Sequence, residues 1–328
     1  MNLKVDSEIP RRLLAAADAP PLHPQRLGGT RVPRLKARRV TWNMPTAAEL
    51  REPVFAMTDV DRLEFGRAFE GSLETVAWPR RLRTINLFVC VRFNKQIELV
   101  DWPASLQTLV LGCAFRQPIE CVEFPPSLQQ LQLGFEFNQP IERVSWPASL
   151  RQLTLFGRFN QSIEGTVWPD SLQRLVFGHD FNQPVSNVRW LASLQEIAFG
   201  CLEDKGNSRM MIDSNFDQGI DRSAWPASLQ QLTLGHKFRQ SLQGLGTWMP
   251  NLEALRLLSW DHMVQHNSLL RGIEWPKGLR ALTVPEGSIL DDFVVPNLDG
   301  VVIPSTVQVH RIKIRSTGKA VCGVPWLR

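Results

Sequence analysis

The sequence predicts a repeat solenoid of about eleven coils. Each coil places one strand in a parallel β-sheet and returns through a turn-rich, largely non-helical segment. Three observations carry this reading. Trp-Pro, or a close variant, recurs at Trp78, Trp102, Phe124, Trp146, Trp168, Trp190, Trp225, Trp248 and Trp275, with spacings of 24, 22, 22, 22, 22, 35, 23 and 27. A fixed period near 22 residues means one supersecondary unit repeated along an axis. Before such pairs lies a Leu-x-x-Leu-x-Leu-Gly segment or an apolar variant of it, as in 128–134. The third observation is compositional, since 11 Trp and 23 Pro with no Tyr in 328 residues is what a repeated Trp-Pro unit lacking Tyr would leave.

The elements follow in chain order from that unit. In Leu128-Gln-Gln-Leu131-Gln-Leu133-Gly134 the second and third leucines are two apart, the period of a strand with one face buried, and the glycine ends it. Phe137-Asn138-Gln139-Pro140-Ile141 and Val144-x-Trp146-Pro147 then supply single apolar anchors at uneven spacing with proline, which suits a turn-rich return rather than a long helix. One coil cannot bury its own apolar face, but stacked coils can. Coil starts are expected at Val60, Leu82, Leu106, Leu128, Leu150, Leu172, Leu194, Leu229, Leu252, Leu279 and Leu298. The solenoid therefore runs over 60–305. A short N-terminal cap is expected at 42–59, where Thr46 and Glu49 have capping-box spacing. Residues 1–41 read as a basic, Pro- and Arg-rich arm that is disordered or folds on a partner. Residues 306–328 read as a basic C-terminal cap, with a strand pair around 307–315 closing the sheet edge.

The pattern S-L-x-x-L-x-L-G…F-N-Q-P-I…W-P resembles the FNIP-repeat family of leucine-rich-repeat-like proteins. Its clearest copies are 137–141, 159–163 and 181–185, with looser ones at 93–97 and 115–119. The resemblance implies a leucine-rich-repeat-like solenoid acting as a protein-interaction scaffold, sometimes joined to an F-box, with no common chemistry. No F-box-like helical segment precedes the repeats in this sequence.

Charge is unevenly placed. Of the net +5, residues 1–41 contribute +6 and residues 307–328 contribute +5, so the stretch between them carries −6. Basic ends flanking an acidic body argue against a nucleic-acid surface along the whole protein and confine any RNA contact to those ends. Five cysteines with no C-x-x-C, and no apolar leader, point to reduced thiols in an intracellular, cytoplasmic protein. The arm is the alternative organelle-targeting segment, although three acids and five prolines count against that. No apolar run reaches the roughly 18 residues of a membrane span.

The columns of the repeat separate architecture from candidate function. Successive Trp side chains are expected to stack in the core rather than to form a sugar platform. Asn94, Asn138, Asn160 and Asn182, with Asp217 in the same slot, should form a ladder that satisfies turn backbone, interrupted at Arg116 and Arg239. Strand positions facing away from the core are rich in Gln and Thr with scattered Arg, a surface for a polypeptide rather than for phosphates. Glu98, Glu120, Glu142 and Glu164, continuing a row from Glu74, form a like-charged line that is a solvated edge or a docking stripe for a basic segment. Partner contacts are further expected from Arg11, Arg12, Arg34, Lys36, Arg38 and Arg39 of the arm, and from Met210, Met211 and Ile212, the apolar tip of the insertion at 201–213.

Two histidine arrangements fall short of a metal site. His262 and His266 lack the glutamate of a zincin helix, and the column of His179, Cys201 and His236 also tolerates Phe135 and Gly157. No catalytic residue, metal or cofactor is expected, because no nucleophile elbow, P-loop or dinucleotide fingerprint occurs. A non-catalytic scaffold or adaptor is the leading expectation. A carbohydrate-acting parallel β-helix enzyme is the alternative, and an RNA-associated protein the third.

Overall fold

The computed structural model describes residues 2–5, 38–47, 50, 59–200, 214–221, 224–257, 273–283, 289–290, 293–295, 308–309 and 312–314. The chain divides into two compact units, one of residues 1–139 with 144–150 and the other of 140–143 with 151–328.

The first unit holds β1 (Asn2–Val5), β2 (Arg39–Trp42), β3 (Arg62–Phe65), β4 (Thr84–Asn86), β5 (Thr108–Val110) and β6 (Gln130–Leu133). Each pairs in parallel with the next, and the register aligns Val40, Leu63, Ile85, Leu109 and Leu131. All five are buried, as the alternation of apolar and polar residues demands. The second unit holds β7 (Gln152–Leu155), β8 (Arg174–Phe177), β9 (Glu196–Phe199), β10 (Gln231–Leu234), β11 (Ala254–Leu257) and β12 (Ala281–Thr283), again parallel and in chain order. Among the described residues its return segments hold one helical turn, α1 (Leu245–Trp248).

The expected solenoid is thus present, and β2 to β12 give eleven coil strands among the described residues. Their membership differs from the expectation at one end. The coil at β2 lies across the boundary drawn between arm and cap, and β1 lies within the arm. Val40 and Trp42 are buried, and the Trp42 indole N–H donates to the Thr46 carbonyl at 2.8 Å. Two inward residues in a four-residue strand fall below what periodicity can detect in an arginine-rich stretch. The coil expected at Leu298, and Glu49 of the capping box, lie outside the described residues. The C-terminal strands also pair differently. Those at Gln308–Val309 (β15) and Ile312–Ile314 (β16) form two separate parallel pairs with Ile289–Leu290 (β13) and Phe293–Val295 (β14), so the main sheet's edge is not their partner.

Packing explains each column. Phe69, Phe93, Phe115, Phe159, Phe181, Phe216 and Phe238 are all but fully buried and stack coil on coil within each unit, as in the 6.2 Å, 13° contact of Phe93 with Phe115. These phenylalanines are the largest fully buried side chains of the core. The Trp column is lighter than expected. Trp102, Trp168 and Trp225 are buried, whereas Trp78, Trp146, Trp190, Trp248 and Trp275 are half-buried. The rings do stack, at 6.0 Å for Trp78–Trp102 and 5.1 Å for Trp190–Trp225.

Polar ladders satisfy the backbone between these spines. Oδ1 of Asn94 accepts the Arg116 amide at 3.0 Å, that of Asn160 the Asn182 amide at 2.9 Å, and that of Asn182 the Asp217 amide at 2.9 Å. The glutamine that follows donates back to the preceding coil, as from Gln183 Nε2 to the Asn160 carbonyl at 3.0 Å. A serine ladder, formed by the Ser that opens each repeat pattern, runs beside them. The hydroxyls of Ser105, Ser127, Ser193 and Ser228 donate to the carbonyls of Leu82, Leu106, Leu172 and Leu194 at 2.8, 2.6, 2.8 and 2.8 Å. Glycine ends the strand because the coils touch there, and a Cβ on Gly134 would lie 1.9 Å from the Gly112 carbonyl oxygen.

Candidate partner-binding surface

Inward apolar residues leave the alternate strand positions facing out. In the first unit these are Arg39, Thr41, Arg62, Glu64, Thr84, Asn86, Thr108, Val110, Gln130 and Gln132, each exposed or half-exposed. The face is polar and rises one coil at a time, at about 4.8 Å per step. The second unit departs from the expectation of an open face. Val176, Ala198 and Thr233 are 6%, 6% and 5% exposed, so the centre of its outward side is buried.

Arg39 is less available than the sequence suggests. Its guanidinium grips Glu64, with Nη2 at 2.8 Å from Oε1 and 2.7 Å from Oε2, while Arg62 Nε donates to Oε1 at 2.9 Å. A bidentate carboxylate holds the fork in place on its own sheet. Arg38 is exposed and enters a different group. A hollow of about 700 Å3 at the strand-start edge is lined by Arg38, Arg80, Arg81, Arg83, Asp59, Asp61 and Ser105. Sequence reading missed this group, although Arg80-Arg81-Leu82-Arg83 standing one coil from Asp59-Val60-Asp61 is a signal that could have found it.

The glutamate row follows the buried isoleucines of the return. Glu98 and Glu120 are half-exposed in the first unit, and Glu142 and Glu164 are exposed in the second. Glu164 accepts a hydrogen bond from the Asn187 amide at 3.2 Å. Among the described residues no cation pairs with Glu98, Glu120 or Glu142. A second hollow, of about 660 Å3, lies at the start of the row and is balanced in charge, with Glu70 and Glu74 against Arg92 and Lys95.

Arg11, Arg12, Arg34, Lys36, Met210, Met211, Ile212, His262 and His266 lie outside the described residues. The flanks of the insertion are ordered. Gly200 has φ of 119°, Ser214 is fully buried, and the Ser214 amide donates to His236 Nδ1 at 3.0 Å. That ring nitrogen is therefore engaged by backbone, and His179 Nδ1 contacts Asp180 Oδ1. No group of three metal-ligating side chains occurs among the described residues. Cys90 is fully buried, and burial, helped by Cys113, pushes its thiol up to about 12. Cys113 is raised in the same way, chiefly by burial, whereas Cys121 is exposed. No helix among the described residues is long and apolar enough to cross a membrane.

The FNIP Repeat family model matches residues 93–134, 115–157 and 159–201, so the chain carries FNIP repeats over that stretch. No curated protein matches it. Among solved structures it is similar to CroV588, described as a novel circular LRR protein, at 23% identity and a TM-score of 0.52, over 85% of this chain and 50% of that one. It is also similar to an internalin (inlF) from Listeria monocytogenes, at 13% identity and a TM-score of 0.50, over 83% of this chain and 75% of that one. These likenesses show a leucine-rich-repeat fold. This chain spans half the length of CroV588.

Proposed function

We propose that this FNIP-repeat solenoid is a non-catalytic scaffold or adaptor that binds a protein partner and serves as a structural subunit of a larger assembly. The observation that carries the proposal is the open sheet face of the first unit, where outward Thr, Asn and Gln side chains are exposed or half-exposed in successive coils. Such a face offers donors and acceptors at fixed spacing to an extended or loop-rich polypeptide. Glu98 and Glu120 of the first unit support a second contact of the same adaptor, because they have no intramolecular cation among the described residues and suit a basic segment. A carbohydrate-acting enzyme fits less well, since its acid and base must converge on one bond while these carboxylates follow the repeat.

Affinity capture with the tagged full chain, at physiological and raised salt, tests the reading. A protein should be recovered at near-equal stoichiometry and should survive nuclease treatment. Recovery of RNA alone, or uronate release that a single Glu→Gln change abolishes, would overturn it in favour of the rivals.

A further inference from the structure

The strand-start edge of the earliest coils carries charged side chains where the later coils of the first unit carry neutral polar ones. The position before the strand carries Gln107 and Gln129 in later coils of the first unit, but Arg38, Asp61 and Arg83 in the earliest. The neighbouring position carries Ser105 and Ser127 later, but Asp59 and Arg81 here. Their backbone is fixed by paired hydrogen bonds. The Arg38 carbonyl accepts the amides of Asp61 and Arg62 at 2.9 and 3.0 Å, that of Asp61 the amides of Arg83 and Thr84 at 2.8 and 3.0 Å, and that of Arg83 the amides of Gln107 and Thr108 at 2.8 and 2.9 Å. The side chains thus leave a rigid base one coil apart.

Their charge is mostly uncompensated. Four guanidiniums face two carboxylates around the hollow, leaving +2. The single ion pair, Arg81 with Asp59, spans 3.7 Å between side chains that are 78% and 42% exposed, a geometry of little energetic weight. Guanidinium forks that are not engaged internally are suited to planar, bidentate recognition of carboxylates. Phosphate chains fit less well. Asp59, Asp61 and Glu64 interrupt the positive surface and would repel a continuous row of phosphates. The exposed large apolar side chains among the described residues are Val89, Val91, Leu99 and Val167, none of them an aromatic platform for a base.

We propose that this hollow docks an acidic polypeptide segment, its Asp or Glu carboxylates taken by Arg38, Arg80, Arg81 and Arg83 while Asp59 and Asp61 exclude continuous polyanions. The inference rests on the adaptor reading and names the chemistry of one partner. A fluorescein-labelled peptide of four glutamates, each separated from the next by Gly-Ser, is titrated against the full chain by anisotropy at about 0.05 M and 0.3 M salt, with oligothymidylate of equal charge as the nucleic-acid arm. The peptide should bind, more weakly at the higher salt. The double variant Arg80→Glu/Arg83→Glu should weaken it at least about tenfold, and Arg189→Glu, on the second unit, by less than about twofold. Arg80→Ala/Arg83→Ala carries the same test, with a smaller loss, if the charge reversal disturbs the far-UV spectrum. Equal peptide binding by the double variant and the full chain, or tighter binding of the oligothymidylate, overturns the proposal. A native partner captured equally by both forms would leave the adaptor standing and remove the hollow from it. Peptide binding with no native partner would do the reverse.

Discussion

Cys90 shows how much one side chain reports about its coil. Its Sγ lies 3.4 Å from the Phe65 carbonyl oxygen and 3.3 Å from that of Gly66, with no exposed surface. Burial removes the water that would stabilise a thiolate, Cys113 beside it adds to the cost, and the carbonyls favour the protonated thiol. The folded thiol therefore titrates near 12 against an ordinary value of 9.0. Below about 9 both folded and unfolded chains keep the proton, so stability does not depend on this group. Between about 9 and 12 the unfolded chain binds fewer protons than the folded one, so stability falls as pH rises. Two measurements follow from one cause. In the native chain at pH 8, iodoacetamide should modify the peptide bearing Cys121 and spare the one bearing Cys90 until denaturant is added. Over pH 9 to 11 the melting temperature of Cys90→Ala should decline less than that of the parent chain. Equal labelling of the two cysteines, or parallel declines, would show that the thiol is accessible.

Along the elements, the spines and ladders divide the work of stacking. The ladders of Asn, Gln and Ser satisfy backbone groups, and each such bond contributes about 1 kcal/mol. The phenylalanine spine buries far more apolar area. Phe115 stacks between Phe93 at 6.2 Å and Phe137 at 6.3 Å and has no exposed surface. Phe115→Ala should therefore cost about 3–5 kcal/mol in urea unfolding, whereas Leu99→Ala, at a site 78% exposed, should change stability by less than about 0.5 kcal/mol. Similar losses for the two would mean that the spine is not the core. The strands and the Asn ladder were legible in the sequence because their residues recur in register, as Leu131, Leu153 and Leu175 do. The serines recur just as regularly, at Ser105, Ser127, Ser149, Ser171 and Ser193, but their bonding was not legible, because the acceptor is a backbone carbonyl one coil away. The strand Arg39–Trp42 was missed for another reason, since two apolar residues within an arginine-rich stretch make no pattern until β3 lies beside them.

For the whole molecule, a repeat makes the core a property of register, while function sits where the columns break. The candidate Arg hollow illustrates the second half. Its members come from adjacent coils, mostly at positions where the later coils of the first unit carry Gln or Ser, so only stacking assembles them. Register can be tested directly in the first unit. Deleting residues 106–127 joins Ser105 to Leu128 and substitutes Leu131 for Leu109, Leu133 for Leu111, Gly134 for Gly112 and Phe137 for Phe115. Every column keeps its residue type, and β4 meets β6 as it formerly met β5. Deleting only 106–116 removes half a coil and places Gln117 where Leu106 was buried. Nearest-neighbour stacking predicts that the first deletion keeps the β spectrum and a cooperative melt at a lower midpoint, because one interface is lost and none is mismatched. The second must either loop out the remainder or put polar side chains in the core, so its melt should broaden and its midpoint fall further. Equal behaviour of the two deletions would mean that stability comes from local composition, and that the 22-residue period does not hold the coils together.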